Sequence, residues 1–380
     1  MTISARLEAS HNRSFISPVK MMFKVVLVPE KLSTASGLHY IIVIDKSGSM
    51  SGSKITNAKL GAVGLIRKIP PGNKVSLITF SNRVQVLKEF SDPVEFPELE
   101  EINANGATAL FSALSTAFTL HRRYNIPSYI VILTDGNPTD NTNVDTYRKM
   151  DLPQGAQIIS LGLGDDYNES ILKTLADRTG GLMHHLEDPT EVPERLVKVA
   201  KTSVAAMNLK VDFMSESPVT LLNFSGPPVT INALEGAVKI YGECVIPPKY
   251  SGNFLTVQVK YQEPSGQEQN IVKALSMTPA SNVTEFSSSI NRDVIMEYEY
   301  YKNLQKMSTE VEAGNLTEAT RALRRMEEIA EQTRRPEMIE ATRRLSDGLQ
   351  RAEGSVEETR KFSKEVNSEA TRRLRGEGNS

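Results

Sequence analysis

The sequence predicts a multi-domain chain in which a doubly wound, mostly parallel α/β sheet is inserted in an antiparallel β-sandwich and followed by a C-terminal helical module. Three observations support this fold class. Apolar strand-like runs alternate with amphipathic helical segments over 38–201, which is typical of a parallel sheet covered on both faces. Over 202–288 the apolar residues recur with period two instead. Over 289–380 charged and helix-forming residues dominate.

The N-terminal segment 1–37 is predicted to supply strands to the β-sandwich. Residues 15–29 have the pattern of one or two strands, yet they precede the α/β domain and have no sheet of their own. A lone hairpin is only marginally stable in water. We therefore expect these strands to join the sandwich that follows residue 201, which makes the α/β domain an insertion.

The α/β domain is predicted from alternating strands and helices. One helix is expected to begin near Ser53 and to end at Pro70, and a second to begin near Thr108, because apolar residues recur there at helical spacing. The strands are expected at 39–45, 74–80, 84–90, 128–134, 157–163 and 182–185.

The regions 202–288 and 289–380 differ in the spacing of their apolar residues. Turns rich in Gly and Pro separate sandwich strands expected at 219–224, 229–234, 237–246, 254–262 and 270–277. Four helices are then expected at 292–313, 316–333, 336–352 and 356–373. The fourth helix has few apolar residues to bury, chiefly Phe362, Val366 and Leu374, so the sequence predicts a weakly ordered tail.

Composition excludes several classes of protein. The 380 residues are 39% apolar and 24% charged with a net charge of −2, which argues against bulk disorder and against a basic surface for nucleic acid. The single cysteine, Cys244, cannot form an internal disulfide, which favours a reducing cytoplasm. No stretch has the length and hydropathy of a signal peptide or a membrane span. The net charge alone does not indicate what kind of partner the protein binds.

The most informative group of polar side chains follows the first strand of the α/β domain. Asp45, Ser47 and Ser49 come directly after a β-branched run, where open α/β sheets place their ligands. Alternate residues of an extended segment point the same way, and Gly48 permits a tight turn between them. Three oxygen-bearing side chains aimed at one point favour a hard cation such as magnesium.

Two further motifs extend this site: Thr108 opens a helix, and Asp135 ends a strand. With them the chain resembles the von Willebrand factor A family over about residues 38–200, because its metal-ion-dependent adhesion site combines Asp-x-Ser-x-Ser with a distant threonine and a distant aspartate. The resemblance implies that these residues hold Mg2+, or alternatively Mn2+, and that the ion accepts an acidic side chain from a partner. The alternative, that the motif persists as a scaffold with its metal site unoccupied, stays open.

Catalytic signals are weak elsewhere. The five histidines are scattered, and the sequence contains neither a Gly-x-Ser-x-Gly motif nor a phosphate-binding Gly-x-x-x-x-Gly-Lys-Ser/Thr loop. The chain is therefore predicted to be a non-enzymatic interaction scaffold. A metal-dependent hydrolase is a weaker alternative, supported only by the oxygen cluster.

The charged C-terminal region contains candidate phosphorylation sites. Arg343-Arg344-Leu345-Ser346 and Arg360-Lys361-Phe362-Ser363 place two basic residues just before a serine, as basophilic Ser/Thr protein kinases accept. A phosphate would add charge and could recruit an Arg-lined reader. The candidates are Ser346, Ser363, Ser368, Thr371 and Ser380, the last four in the tail predicted to be accessible.

The order of the domains narrows the resemblance. A strand segment, an inserted von Willebrand A domain, a β-sandwich and a charged helical module are similar to the archaeal von Willebrand A proteins of the archaellum regulatory network (ArnB-like). That resemblance implies a cytoplasmic phosphoprotein that binds a forkhead-associated-domain protein and helps to repress motility genes. The alternative is an accessory subunit of a MoxR-type AAA+ ATPase.

Overall fold

The computed structural model of the protein describes residues 1–94, 96–352 and 354–375. Its N-terminal segment forms two long and two short strands. β1 and β3 pair antiparallel, and alternate residues of β3, including Phe23, Val25 and Leu27, are fully buried. The strands are β1 (Ile3–Ala9), β2 (Arg13–Ser14), β3 (Val19–Pro29) and β4 (Ser33–Thr34).

The inserted α/β domain contains a six-stranded sheet in the order β10-β9-β8-β5-β6-β7. All neighbouring strands are parallel except β6 and β7, which form an antiparallel edge. The strands are β5 (His39–Asp45), β6 (Lys74–Phe80), β7 (Val84–Ser91), β8 (Ser128–Thr134), β9 (Ala156–Leu163) and β10 (Leu182–Leu186). The helices are α1 (Ser53–Lys68), α2 (Leu110–Tyr124), α3 (Val144–Lys149), α4 (Glu169–Thr179) and α5 (Val192–Val197).

Helices cover both faces of this sheet. Every residue of β5 is buried, with Ile42 packing in the cluster of α1 and α5, and Val43 in the cluster of α2, α3 and α4. Alternate residues of one strand thus enter opposite layers, as the continuous apolar run predicts for a strand buried on both faces. The sheet is a rigid platform whose strand ends carry the site described below.

The β-sandwich is built from the chain segments on both sides of the α/β insertion. Its sheets have the orders β1-β3-β15-β13 and β14-β12-β16-β17-β2. β3 pairs with β15 from Val19 opposite Ile246 to Leu27 opposite Val238, so the chain before the α/β domain and the chain after it share one sheet. The predicted fold class is confirmed. The strands after the insertion are β11 (Ser203–Val204), β12 (Ala206–Ser215), β13 (Thr220–Leu221), β14 (Val229–Leu234), β15 (Val238–Ile246), β16 (Gly252–Gln262) and β17 (Glu268–Pro279).

The last four helices of the chain pack around one apolar cluster. Leu304, Met326 and Ile329 are fully buried within it, and Tyr241 of β15 joins the helices to the sandwich. Among the described residues, we find no helix with the length and hydropathy needed to cross a lipid bilayer. The helices are α6 (Val283–Ser288), α7 (Arg292–Glu312), α8 (Leu316–Thr333), α9 (Pro336–Ala352) and α10 (Val356–Leu374).

The predicted weak anchoring of the last helix is wrong for its described residues. α10 packs against α7, α9, α4 and the edge strand β10. Phe362 and Val366 are buried, and the hydroxyls of Ser368 and Thr371 accept hydrogen bonds from the main-chain amides of His185 (3.3 Å) and Met183 (3.4 Å), respectively. A helix with few apolar residues is therefore held because it also satisfies the free backbone groups of an edge strand.

Candidate metal centre

Two buried carboxylates meet at the carboxyl end of the α/β sheet. Asp45 is the last residue of β5, and Asp135 directly follows β8. These strands are parallel neighbours, with Ile44 opposite Leu133, so both aspartates leave the sheet at the same edge. Neither aspartate has exposed surface. This edge is where open α/β sheets bind ligands.

Asp45 is held by neutral donors. One carboxylate oxygen, Oδ1, accepts a 2.8 Å hydrogen bond from the main-chain amide of Ser47, and Oδ2 accepts a 2.6 Å hydrogen bond from the hydroxyl of Thr134. Burial raises the pKa of Asp45 to about 6, because it disfavours the charged form more than these hydrogen bonds favour it. A cation near this carboxylate would stabilise its charged form.

Ser47 and Ser49 lie in the turn that follows β5. Their hydroxyl oxygens are 3.1 Å apart, and the Ser49 hydroxyl donates a 2.7 Å hydrogen bond to Oδ1 of Asp135. Ser47 is buried, whereas Ser49 is exposed. The turn thus brings the exposed Ser49 hydroxyl to the second carboxylate and places the buried Ser47 hydroxyl beside it.

Thr108 reaches the same point from the loop before α2. A Cβ placed on Gly136 would lie 3.2 Å from Oγ1 of Thr108 and 3.7 Å from Oγ of Ser49, so both hydroxyls border the residue after the second aspartate. The main chain of Thr108 is fixed by two hydrogen bonds with Thr139: its amide donates to the Thr139 hydroxyl (3.1 Å), and its carbonyl accepts from the Thr139 amide (2.9 Å). The five residues predicted from the motifs are therefore brought together.

Sequence reasoning missed Lys54, which also contacts the site. Its ammonium lies 2.5 Å from Oδ2 of Asp135, and its side chain is 27% exposed. Lys54 is the second residue of α1, which starts directly after the serine motif. Its position directly after the serine motif could have identified Lys54 from the sequence, since the start of this helix faces the end of β5.

The loop after Asp135 was missed as well. The carboxylate of Asp140 accepts hydrogen bonds from the amides of Phe111 (3.2 Å) and Ser112 (2.8 Å) at the start of α2. An acidic side chain at a helix N-terminus accepts hydrogen bonds from the free amides, and its negative charge interacts favourably with the helix dipole. Asp140 therefore braces the helix that follows Thr108 against the loop that follows Asp135.

The donor set fits a hard cation. The five motif residues offer two carboxylates and three hydroxyls, all oxygen donors, as magnesium prefers. Among the residues that the structure describes, no group of three or more His, Cys, Asp or Glu side chains could hold a metal ion. A divalent ion at this site would therefore depend on hydroxyl as well as carboxylate oxygens.

Neither His39 nor His185 is suited to act as a general acid at this site. His39 begins β5, at the end opposite Asp45, and burial lowers its pKa to about 4. His185 lies in the edge strand beside α10, and burial lowers its pKa to about 4 as well. Both are neutral at physiological pH, when a general acid would need a proton.

The candidate phosphorylation sites differ in exposure. Ser363, Ser368 and Thr371 are buried against the α/β domain, so the expectation that they are accessible is wrong for the docked helix. Ser346 of α9 is half-buried, and Ser380 lies outside the described residues. A kinase could reach the three buried hydroxyls only if α10 left its position.

Comparison with known families matches two parts of the chain. The profile of the von Willebrand factor type A domain matches residues 39–185. The profile described as "Archaellum regulatory network B, C-terminal domain" matches residues 292–376. The two matches cover the α/β domain and the helical module, respectively.

Solved structures extend the likeness over the whole chain. The ArnB paralog VWA2 from Sulfolobus acidocaldarius is 32% identical, with a TM-score of 0.87 over 99% of this chain and 98% of that one. A von Willebrand factor type A protein from Catenulispora acidiphila shares the fold at 17% identity, with a TM-score of 0.69 over 92% of this chain and 89% of that one.

Curated relatives share a part of their length only. Inter alpha-trypsin inhibitor, heavy chain 4, from Mus musculus is 30% identical over 182 residues, which are 43% of this chain. The chain spans 39%, 19% and 20% of the first three such relatives. The matches to these three relatives cover 40%, 43% and 43% of this chain, which is less than half of it.

Proposed function

The chain belongs to the ArnB-like family of von Willebrand factor A proteins, and from this premise we propose that it is a non-enzymatic scaffold with two docking surfaces. One is a Mg2+-dependent adhesion site formed by the five residues Asp45, Ser47, Ser49, Thr108 and Asp135. The other is the C-terminal helical module, which Ser/Thr kinases phosphorylate and a forkhead-associated-domain protein recognises. The scaffold acts in the cytoplasm in the regulation of archaellum genes. A von Willebrand A domain joined to an archaellum regulatory C-terminal domain supports a regulatory or interaction role.

The observation that carries the proposal is the convergence of oxygens at adjacent strand ends. Ser49 lies within 3.1 Å of Ser47 and 2.7 Å of Asp135, and its exposure leaves the cluster accessible from solvent. A bound magnesium ion would supply an electrophilic centre for a carboxylate of the partner. Such a site binds acidic partners and needs no nucleophile.

The surrounding residues hold the cluster in place. Thr134 and the amide of Ser47 orient Asp45, while Thr139 fixes the loop that presents Thr108. These contacts join three separate loops, so the donors are arranged before any partner arrives. Such preorganisation lowers the entropic cost of binding.

The second surface is controlled by the position of α10. The hydroxyl of Ser363 donates to the carboxylate of Glu169, which is half-buried. A phosphate on Ser363 would place two negative groups together in a site of low polarity. Phosphorylation of Ser363 therefore requires that α10 is released from the α/β domain. Ser346, in contrast, can be modified while the module is docked.

Affinity capture from the source cells tests the adhesion site. We expect partners recovered with the wild-type chain in Mg2+ to be lost in EDTA and with Ser49→Ala. Ser51→Ala is the matched control, since the hydroxyl of this exposed serine in the same turn donates to the carbonyl of Gly48. Recovery unaffected by both EDTA and Ser49→Ala would overturn the proposal.

The same captured material tests the partners and the tail. We expect a kinase or a phosphate-binding reader, with phosphate on Ser346 or on α10 detected by mass spectrometry. Recovery of a MoxR-type AAA+ ATPase with an unmodified tail would favour the accessory-subunit alternative instead.

A further inference from the structure

Asp135 has partners for both carboxylate oxygens within the chain itself. Oδ1 accepts the hydroxyl of Ser49 at 2.7 Å, and Oδ2 lies 2.5 Å from the ammonium of Lys54. The aspartate has no exposed surface. One of the two carboxylates of the site is thus paired with a positive side chain of the chain itself.

The other carboxylate lacks such a charge. The contacts of Asp45 are a main-chain amide and the hydroxyl of Thr134, both neutral donors. The site therefore combines one carboxylate that already has a counter-charge with one that has none. This asymmetry concerns Lys54 alone, because the other donors around the two aspartates carry no charge.

Electrostatics gives this arrangement two consequences. A buried carboxylate without a counter-charge is costly, and removing one partner of a buried pair leaves that cost uncompensated. The Lys54 ammonium therefore stabilises the chain when no ion is bound. A divalent cation that shares Asp135 with an ammonium is repelled by it, so the same contact weakens cation binding.

The side chain of Lys54 has room to move away from Asp135. Its side chain is 27% exposed, so its flexible stem can carry the ammonium toward solvent without leaving the surface of α1. A residue that was fully enclosed could not respond in this manner.

We propose that Lys54 is a built-in counter-cation of the adhesion site, which stabilises the metal-free chain and sets a low affinity for divalent cations. The inference rests on the proposed function, because it requires that the site binds such a cation. It assigns to Lys54 a role outside the set of metal donors: this residue determines how much free cation is needed before the site is loaded.

Calorimetric titration of the full chain with Mg2+ and with Mn2+ tests the inference. We expect Lys54→Met to bind both ions at least about tenfold more tightly than wild type, as the repulsive charge is removed. Lys59→Met is the matched control, because Lys59 lies on the same helix and its ammonium bonds to the carbonyl of Glu100. This control removes one positive charge away from the aspartates and should leave the affinity within about twofold of wild type.

Thermal unfolding provides a readout without metal. In EDTA we expect a lower Tm for Lys54→Met than for wild type and Lys59→Met, with recovery in saturating Mg2+. The double variant Lys54→Met/Asp135→Asn should regain Tm in EDTA, since it removes the uncompensated charge.

The outcomes separate the two proposals. If wild type and Lys54→Met bind the ions equally tightly, the role of Lys54 is overturned while the adhesion site stands. If no variant and no wild-type sample binds either ion, the metal-dependent function itself fails.

Discussion

The side-chain amide of Asn137 donates a 2.6 Å hydrogen bond to the main-chain carbonyl of Asp166, which joins two loops at the carboxyl end of the sheet. Asn137 stands two residues after the metal-site aspartate Asp135. On the other loop, the carbonyl of Asp165 accepts a hydrogen bond from Lys364 of α10. The C-terminal helix and the adhesion site are thus linked by a short series of contacts.

Lys364 should be the main anchor of this link. Its side chain is 5% exposed, and its ammonium lies 4.7 Å from the ring centroid of Tyr167. We expect Lys364→Ala to lower the free energy of unfolding by about 2 kcal/mol, because a cation–π contact and a buried hydrogen bond are lost. Urea unfolding measures this change in the free energy of unfolding. Hydrogen exchange should also become faster in residues 164–168.

Lys361→Ala is the control for the anchor. Lys361 lies on the same helix and makes ion pairs of 3.5 to 4.0 Å, but its side chain is 32% exposed, against 5% for Lys364. Its removal should change the unfolding free energy much less than the removal of Lys364, because water and salt screen exposed ion pairs. Equal losses in the two variants would contradict the assigned role of Lys364.

A negative charge at Ser363 should displace α10. Ser363→Asp places a second carboxylate against Glu169, whose pKa burial already raises. We expect a loss of roughly 3 kcal/mol in urea unfolding and rapid proteolysis within α10, whereas Ser363→Ala should cost about 1 kcal/mol. Ser346→Asp, on the half-buried position, should have a much smaller effect. If both aspartate variants behaved alike, the docked helix would not be controlled by this position.

The ion cluster around Glu297 should make stability depend on acid. Lys24 of β3, Lys239 of β15 and Arg335 before α9 lie 2.9, 2.6 and 3.1 Å from this carboxylate on α7. Burial alone would raise the pKa of Glu297, but the hydrogen bonds and charges of Lys239 and Lys24 outweigh it and hold the pKa at about 2. The cluster joins the helical module to the sandwich.

The pH dependence follows from this lowered pKa. The ordinary pKa is 4.5, so the stabilisation is complete above that pH and is lost as pH falls from 4.5 toward 2. We expect Glu297→Gln to cost about 3 kcal/mol at pH 7 in urea unfolding and progressively less below pH 4.5. Glu340→Gln, on an exposed pair with Arg344, is the control and should cost little at any pH. A cost that does not change with pH would argue against the pairing.

Asp140 should affect both stability and the adhesion site. Asp140→Ala removes the acceptor for the first amides of α2, so we expect a loss of about 1 kcal/mol in unfolding free energy. Because α2 follows Thr108, Mg2+ affinity should also fall severalfold in calorimetry. Asp145→Ala, on the exposed face of α3, should leave the affinity unchanged. Unaltered Mg2+ affinity in Asp140→Ala would show that this brace does not position Thr108.

The strand ends of the site could be predicted because their signals are local. A continuous apolar run ending in Asp45, and another ending before Asp135, indicate buried parallel strands without any knowledge of the fold. β12 was not predicted, although Met207, Leu209, Val211 and Phe213 alternate there with polar residues. The bulge between Met207 and Lys210, where the pairing register shifts and Asn208 has a φ of 53°, could not be inferred from that alternation.

Contacts between distant segments could not be predicted from the sequence. The ion pair between Lys54 and Asp135 spans 81 residues, and the bond between Ser363 and Glu169 spans 194. The sequence contains both partners but not their separation in space. For α10, counting apolar residues underestimated its anchoring, because Ser368 and Thr371 bond to the backbone of an edge strand instead.

Calorimetric titration of Mg2+ into the purified chain and into Asp45→Ala tests the adhesion site most directly. Circular dichroism first establishes that the variant is folded, since Asp45 also accepts two internal hydrogen bonds. We predict one saturable binding event in the wild-type chain, reproduced with Mn2+, and none in Asp45→Ala. Identical traces for the two proteins would contradict the metal-dependent site at the ends of β5 and β8.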